Sequence, residues 1–534
     1  MSGGISRLEG ASKPEKARPQ PSLPVLTSGV ASNFNRGDVA KSRRGSRAKR
    51  STARRSRQSS RLLSIGQAGP SEVHPADMST MPGFSLFRQP ETKPITQEQL
   101  ISEVKARMWR HGIQSFLELL RKRLPASREQ MLTFICIAYN TMTLLYETVP
   151  VFALTWIECL GDLGRYRMAI EDDDIRDREI WTAVSQHWYS QASDRSPEVG
   201  RLYHHLAILA RPNTLEQLYY YNKALCVPAP FDSARQSIMT LFRPILKETT
   251  TRIDPDPFNE GFVRVHAMIV ALRPSEEIDS ALDKFLENLD QKIAEKNKEW
   301  LRSGYLIAIS LICSLLGYGD PNNPITKELP KPKEKSPHQD ETRNAAGNSV
   351  AEKTAQLQFE SARPFVMKTC DIVFRRKADI NALPFFHTIL VSLYYIAQRP
   401  KAIAFIEKEF PWTRVVEVLN EAYPALMSKP RMASETFPRP PRNEPLRPLP
   451  EDYAMRGLAL SEKYFPPDWF SSDKLEDDEK MFEPPSLGDE RRQRLLWLGR
   501  RICSVGNWFE WDEGSSRFIV NPAYDRDSSL TVES

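Results

Sequence analysis

Apolar residues recur at intervals of three and four along most of the chain, the spacing that places them on one face of an α-helix. The first such stretch, "RMWRHGIQSFLELLRKRLP", ends at Pro125. Its apolar stripe consists of Trp109, Ile113, Phe116, Leu117, Leu120 and Leu124. A second helix predicted over 129–148 is apolar on most sides, so we expect it to be central, and Pro150 is suited to begin a third.

The helical spacing continues to about residue 427 with few interruptions, and no alternating strand pattern stands out. We therefore predict an all-α fold. The stretches 189–197 and 221–230 share Tyr-x-x-Ala and a following Pro at an offset of 32 residues, close to the tetratricopeptide period of about 34. Because helical hairpins of this kind bury their apolar faces only by stacking, we predict a tetratricopeptide-like helical solenoid over 96–250, followed by helical hairpins over 251–427.

Polar and Pro-rich stretches separate these segments. Residues 1–95 lack a sustained apolar period and are predicted to be a disordered tail. Residues 320–349 are predicted to be a disordered linker, 428–489 a Pro-rich connector, and 490–534 a last helix with a polar tail.

The positive charge of the chain is concentrated in that N-terminal tail. Residues 36–61 hold eleven Lys or Arg and one Asp, whereas the whole chain carries +6, so the remainder is mildly acidic. Such a block is typical of a nuclear localisation signal or of a nucleic-acid contact, and we expect the protein in nucleus and cytoplasm. The candidate nucleic-acid-binding residues are Arg43, Arg44, Lys49, Arg50, Arg54 and Arg55.

Several other chemistries find no support in the sequence. The six cysteines are far apart and show no metal-ligand spacing, so no metal or other cofactor is expected. No phosphate-binding Gly loop, nucleophile elbow or HExxH motif occurs, so we do not expect an enzyme. The longest uncharged apolar run, 305–319, is too short to cross a bilayer and is predicted to be a core helix, with no membrane partner.

Four separated motifs resemble one known family. They are "GDLGRYR", "GRLYHHLAILARPNTLEQLYYYNKALCVPAPFDSARQSIMTLF", "LPFFHTILVSLYYIAQ" and "PLPEDYAMRGL". In this order they resemble the Est-type telomerase-associated and SMG-type nonsense-mediated mRNA decay factors over about 100–505. The resemblance implies a 14-3-3-like helical domain followed by hairpins. It also implies an adaptor that binds phosphorylated proteins, recruits decay or telomerase components, and in some members contacts RNA or single-stranded DNA.

The resemblance also implies a phosphate-binding Arg-Tyr pair, which here is Arg165 and Tyr166. A guanidinium can bind phosphate through two hydrogen bonds and a phenol can add a third. Arg165 shares a polar helix face with Glu158 and Asp162. An ion pair between Arg165 and Asp162, with the Tyr166 ring packed in the core, is therefore the structural alternative.

The chain departs from the family pattern at one position. The family's phosphate-binding Lys follows a Trp-x-His segment, and Gln114 stands at that place in "WRHGIQ". Arg121 lies two turns further along the same face, where 14-3-3 proteins carry a second basic residue, and Arg110 lies one turn before Gln114. The loss of one charge-assisted hydrogen bond costs about 1.5–3 kcal/mol of binding free energy.

Three functions therefore remain open at this point. The first is a phosphopeptide-binding adaptor in mRNA decay, and the second is a telomerase-associated protein that binds single-stranded DNA or RNA. The third is a helical scaffold whose phosphate site has been lost. The run Tyr219–Tyr221 either stacks nucleobases or fills the seam between helices.

Overall fold

The structure is a computed structural model of the chain. It describes residues 96–171, 174–247, 254–330, 345–440, 446–471 and 477–525. All of them belong to a single compact unit, 91–534. The predicted all-α class is confirmed, because helices dominate and the described residues contain one two-stranded sheet.

The first part of this unit is a succession of helices. Their bounds are α1 Gln97–Val104, α2 Ser115–Arg121, α3 Arg128–Thr148, α4 Ala153–Ala169, α5 Ile175–Arg195, α6 Gly200–Leu209, α7 Thr214–Cys226, α8 Ala234–Ser237 and α9 Met239–Leu246. From α3 to α7 each helix packs on the next along the chain. The ten residues Lys105–Gln114, between α1 and α2, form a π-helical segment.

Small residues allow α4 and α5 to approach closely. A methyl group placed on Gly164 would lie 3.1 Å from the Ser185 side chain, and one on Gly161 would lie 3.0 Å from the ring of Tyr189. The Ser185 hydroxyl donates a 2.8 Å hydrogen bond to the Gly161 carbonyl across this contact. The "GDLG" part of the first family motif is therefore a helix-packing element.

The second part surrounds two buried helices, α12 and α15. Its helices are α10 Pro257–Val270, α11 Ser275–Lys296, α12 Glu299–Leu315, α13 Pro324–Glu328, α14 Ala345–Phe374, α15 Leu383–Ala397, α16 Pro400–Ile403 and α17 Trp412–Ala422. Every residue of α12 from Gly304 to Leu315 is buried, which confirms the predicted core helix. Within the predicted linker 320–349, the short helix α13 is capped by the Asn323 side chain.

The last part folds back onto both preceding parts. It contains α18 Pro450–Met455, α19 Asp477–Lys480, α20 Ser486–Cys503 and the strands β1 Phe509–Asp512 and β2 Arg517–Val520. The segment 449–457, which we call the strap, includes α18. It lies within 428–489, the range predicted to be a Pro-rich connector. The strap contacts α7 through Lys223, which donates a 2.9 Å hydrogen bond to the Ala454 carbonyl. It contacts α20 through Glu451, which accepts a hydrogen bond from Arg491.

The two strands were not predicted from the sequence. They form an antiparallel hairpin that begins with Phe509 opposite Val520 and closes with Asp512 opposite Arg517. Trp508, just before β1, stacks on Trp412 with ring centres 4.8 Å apart and planes 5° apart.

One helical stretch among the described residues, Ile380–Ala397, is long and apolar enough to cross a bilayer, and 78% of it is buried inside the protein. The bent pair Arg128–Thr148 and Pro150–Ala169 meets the same criterion only if it is counted as one span.

Candidate anion-binding cleft

The predicted phosphate-binding residues lie on two neighbouring stretches, the π-helical segment continued by α2, and helix α4. Gln114, Glu118 and Arg121 are spaced by four and three residues, so they share one face that runs from the end of the π-helical segment along α2. Tyr166 of α4 lies opposite this face. Its hydroxyl donates a 2.6 Å hydrogen bond to Glu118 Oε1, and the nearby Gln114 side chain has a minor lowering effect on the pKa of the same hydroxyl.

The structure thus brings Gln114, Arg121 and Tyr166 together, but around a carboxylate of the chain itself. Arg121 Nε donates a 3.0 Å hydrogen bond to Glu118 Oε2, and Arg121 Nη2 lies 2.9 Å from the same oxygen in an ion pair. Glu118 was not predicted as a site residue. Its position one turn after Gln114 and one turn before Arg121 is the sequence signal that could have found it.

Arg165 lies beside this group, with its guanidinium carbon 5.3 Å from the centre of the Tyr166 ring. Arg165 pairs with Asp162, whose carboxylate oxygen lies 3.3 Å from Nη2. This is the ion pair that the sequence offered as the alternative to phosphate binding. Asp162 also accepts a 2.5 Å hydrogen bond from Tyr189 of α5. In the described part of the chain, no hydrogen bond or ion pair joins the Arg110 side chain to this group.

A second ion cluster continues the cleft toward α6. Buried Glu158 accepts from Lys105 of the π-helical segment and, at 2.5 Å, from Arg201 of α6. Neither Lys105 nor Arg201 was predicted as a site residue. We call the whole group the cleft cluster; it comprises Lys105, Gln114, Glu118, Arg121, Glu158, Asp162, Arg165, Tyr166 and Arg201. Its four cations and three carboxylates leave a net charge of +1.

Tyr166, His204 and His205 are neutral at pH 7. Burial, and then the Glu118 carboxylate, raise the pKa of Tyr166 to about 12, so its hydroxyl remains a hydrogen-bond donor. Burial and the nearby Arg165 lower the pKa of His204 to about 4. The same causes lower the pKa of His205, whose ring stacks on Tyr189 with centres 4.7 Å apart.

Packing accounts for two of the three tyrosines in the run 219–221. Tyr219 and Tyr221 are buried, 5% and 1% exposed, so these two rings fill the seam between helices. No group of three or more His, Cys, Asp or Glu side chains with metal-ligand geometry occurs in the ranges that the structure describes. The basic residues Arg43, Arg44, Lys49, Arg50, Arg54 and Arg55 lie outside the described residues.

The fold and these ion pairs define an all-α protein in which charged side chains are paired between packed helices. The sequence model of the Est1 DNA/RNA binding domain matches residues 185–465, just over half of the chain. The chain therefore belongs to the Est1 DNA/RNA-binding family, which confirms the resemblance to Est-type and SMG-like factors. The residues predicted to bind phosphate lie before this match.

Two curated relatives are similar over parts of the chain. EST/SMG-like protein 2 of Saccharomyces cerevisiae is 25% identical over 266 residues, 43% of this chain and 21% of the relative. Telomerase-binding protein EST1A of Danio rerio is 33% identical over 86 residues, 16% of this chain and 5% of the relative. The matched region thus spans about a fifth of the length of the first relative and less of the second.

A solved structure has a similar fold. The chain matches the crystal structure of Est1 and Cdc13 with a TM-score of 0.52 and 12% sequence identity, over 80% of this chain and 94% of that chain. At this level of identity the likeness shows the fold alone.

Proposed function

We propose that this protein is a non-enzymatic adaptor that binds a phosphorylated protein partner and associates with RNA in nonsense-mediated mRNA decay. The observation that carries the phosphate component is the meeting of Gln114, Arg121 and Tyr166 in one cleft, with Arg165 beside them. A neutral phenol and two guanidiniums within one cleft are donors suited to phosphate oxygens.

The nucleic-acid component is supported by family membership. The Est1 DNA/RNA binding domain matches residues 185–465, and one relative is named as a telomerase-binding protein. These observations equally favour the second candidate, a telomerase-associated protein that binds single-stranded DNA or RNA in telomere maintenance. Both candidates place the protein with decay or telomerase components in the nucleus and cytoplasm.

Calorimetry with the full chain tests the phosphate component. A Ser-Gln peptide should bind when phosphorylated, and its unphosphorylated twin should bind at least tenfold more weakly, the ratio expected from one charge-assisted contact of about 1.5 kcal/mol. The variant Arg165→Ala should abolish the difference between the two peptides. Equal binding of both peptides to the unaltered chain would refute phosphate recognition.

Gel shifts with single-stranded telomeric DNA and with RNA test the nucleic-acid component. The six basic residues of the tail, Arg43, Arg44, Lys49, Arg50, Arg54 and Arg55, are replaced together by Ala in the full chain. If the helical body binds nucleic acid, the variant keeps part of the affinity and its salt dependence becomes shallower. Complete loss of binding would assign all nucleic-acid contact to the tail.

The third candidate, a scaffold that has lost its phosphate site, is favoured by Gln114 in place of a lysine. The variant Gln114→Lys restores the missing charge. If phosphopeptide affinity is found only in this variant, the unaltered protein is a scaffold, and the phosphate component of the proposed function is wrong.

A further inference from the structure

The two carboxylate oxygens of Glu118 contact the residues predicted to hold phosphate. Oε1 accepts a hydrogen bond from the Tyr166 hydroxyl at 2.6 Å, and Oε2 accepts one from Arg121 Nε at 3.0 Å, with Arg121 Nη2 2.9 Å away in the same ion pair. The Glu118 carboxylate therefore occupies the acceptor position that a ligand anion would take between this phenol and this guanidinium.

The third predicted donor is occupied in the same way. Arg165 donates to Asp162, which lies on the preceding turn of α4. Because both carboxylates are attached to the helices that form the cleft, they face these donors at a high effective concentration. A phosphate group must therefore displace at least one of them, and it must do so against the repulsion between its own charge and theirs.

Glu118 is the more readily displaced of the two carboxylates. Its side chain is 33% exposed, and the side chain of its partner Arg121 is 59% exposed. The Asp162 side chain is 14% exposed and accepts a second hydrogen bond from buried Tyr189. Glu118 can thus rotate into solvent, whereas Asp162 is held by the core.

We propose that Glu118 is a specificity-determining residue: an internal anion that fills the cleft at rest and lowers its affinity for phosphorylated ligands. This inference rests on the proposed phosphate-binding function of the cleft. Two features would then lower the affinity of the cleft for phosphate: the Glu118 carboxylate within it, and glutamine instead of lysine at position 114.

The test compares phosphopeptide binding by full-length variants of Glu118. The probe is a fluorescein-labelled Ser-Gln peptide, phosphorylated or unphosphorylated, measured by fluorescence anisotropy. Glu118→Ala removes the acceptor, and Glu118→Gln removes the charge but keeps an acceptor. The matched control is Glu103→Gln, because Glu103 is another helical glutamate, 49% exposed, that pairs with an arginine, Arg107, on the same helical stretch.

Glu118→Ala should bind the phosphorylated peptide about tenfold or more tightly than the unaltered chain, as freeing one charge-assisted donor implies. Binding of the unphosphorylated twin should not change. Glu118→Gln should give a smaller gain, and Glu103→Gln none. Adding Tyr166→Phe to Glu118→Ala should remove most of the gain, an effect that a purely structural role for Glu118 would not produce.

The outcomes separate this inference from the proposed function. If the unaltered chain binds the phosphopeptide as tightly as Glu118→Ala does, Glu118 is not a competitor, but the adaptor function stands. If neither protein prefers the phosphorylated peptide, both the inference and the phosphate component fail, while nucleic-acid binding remains open to its own test. An equal gain in Glu103→Gln would also overturn the inference.

Discussion

Replacing Arg491 by Met should destabilise the protein more than any single surface change. Arg491 is 2% exposed and makes four hydrogen bonds of 2.7–2.9 Å, two to Glu451 and two to Glu483. Glu451 is completely buried and also contacts His387 at 3.1 Å. Removal of Arg491 leaves this carboxylate buried without its main counter-charge, which costs about 3–5 kcal/mol of unfolding free energy.

This magnitude is set by burial, and a surface pair provides the control. Arg439 and Asp468 also form two parallel hydrogen bonds, but their side chains are 41% and 54% exposed. Arg439→Met should therefore cost less than about 1 kcal/mol. Urea unfolding followed by circular dichroism measures both variants and the double variant Arg491→Met/Glu451→Met.

The double variant should recover much of the loss, because two apolar side chains of similar volume replace the buried pair. A cost below about 1 kcal/mol for Arg491→Met, or a double variant as unstable as the sum of its single variants, would refute the reasoning. Either result would mean that water or a rearranged partner neutralises Glu451.

The cost should also depend on pH. Burial by itself would raise the pKa of Glu451, but Arg491 and His387 outweigh it and hold the pKa below the ordinary value of 4.5. The ion pair therefore contributes fully above pH 4.5, and its contribution is lost as the pH falls below that value. The difference in stability between the unaltered chain and Arg491→Met should shrink on acidification from pH 7 to pH 4.

Three further predictions concern packing and protonation. Gly164→Val should push α4 from α5 at Ser185 and lower stability by about 1–3 kcal/mol in urea unfolding; an unchanged midpoint would contradict this contact. Burial lowers the pKa of Lys223 to about 7. Between pH 7 and 10 the folded chain therefore binds fewer protons than the unfolded chain. The free energy of unfolding should rise with pH by about 1.4 kcal/mol per pH unit in this range. Lys223→Met should remove this rise, measured as unfolding free energy at pH 7, 8 and 9. Trp508→Ala should remove the stack on Trp412, cost about 3–5 kcal/mol and accelerate amide exchange in the hairpin; unchanged protection would show that the stack does not hold the strands.

The sequence predicted the helices well because helix formation depends on residues three and four apart. Helix 129–148 and the core helix near 305–319 were found from local spacing and are present as α3 and α12. The β-hairpin was missed for the complementary reason. Its strands have four residues each, too few for an alternating pattern, and they are held by Trp412, nearly one hundred residues away.

The arrangement of the candidate cleft was likewise predictable from the sequence only in part. A single helix face contains Gln114, Glu118 and Arg121, so the sequence contained the information that a carboxylate lies between the other two. That Tyr166 donates to Glu118 depends on the packing of α2 against α4, 48 residues apart in the chain. The pairing of Lys105 with Glu158 depends in addition on the π-helical segment, whose wider turn alters which residues face α4.

By itself, the sequence determined the fold class, most helices, the basic tail and the family, because these follow from local periodicity, composition and ordered motifs. Tertiary structure alone decided which charges pair between helices and which charges are buried, since such an ion pair forms only where two distant helices place opposite charges within a few ångströms. The strap illustrates this point: a Pro-rich stretch predicted to be a connector places Glu451 in the core, where Arg491 of a later helix holds it as a buried carboxylate.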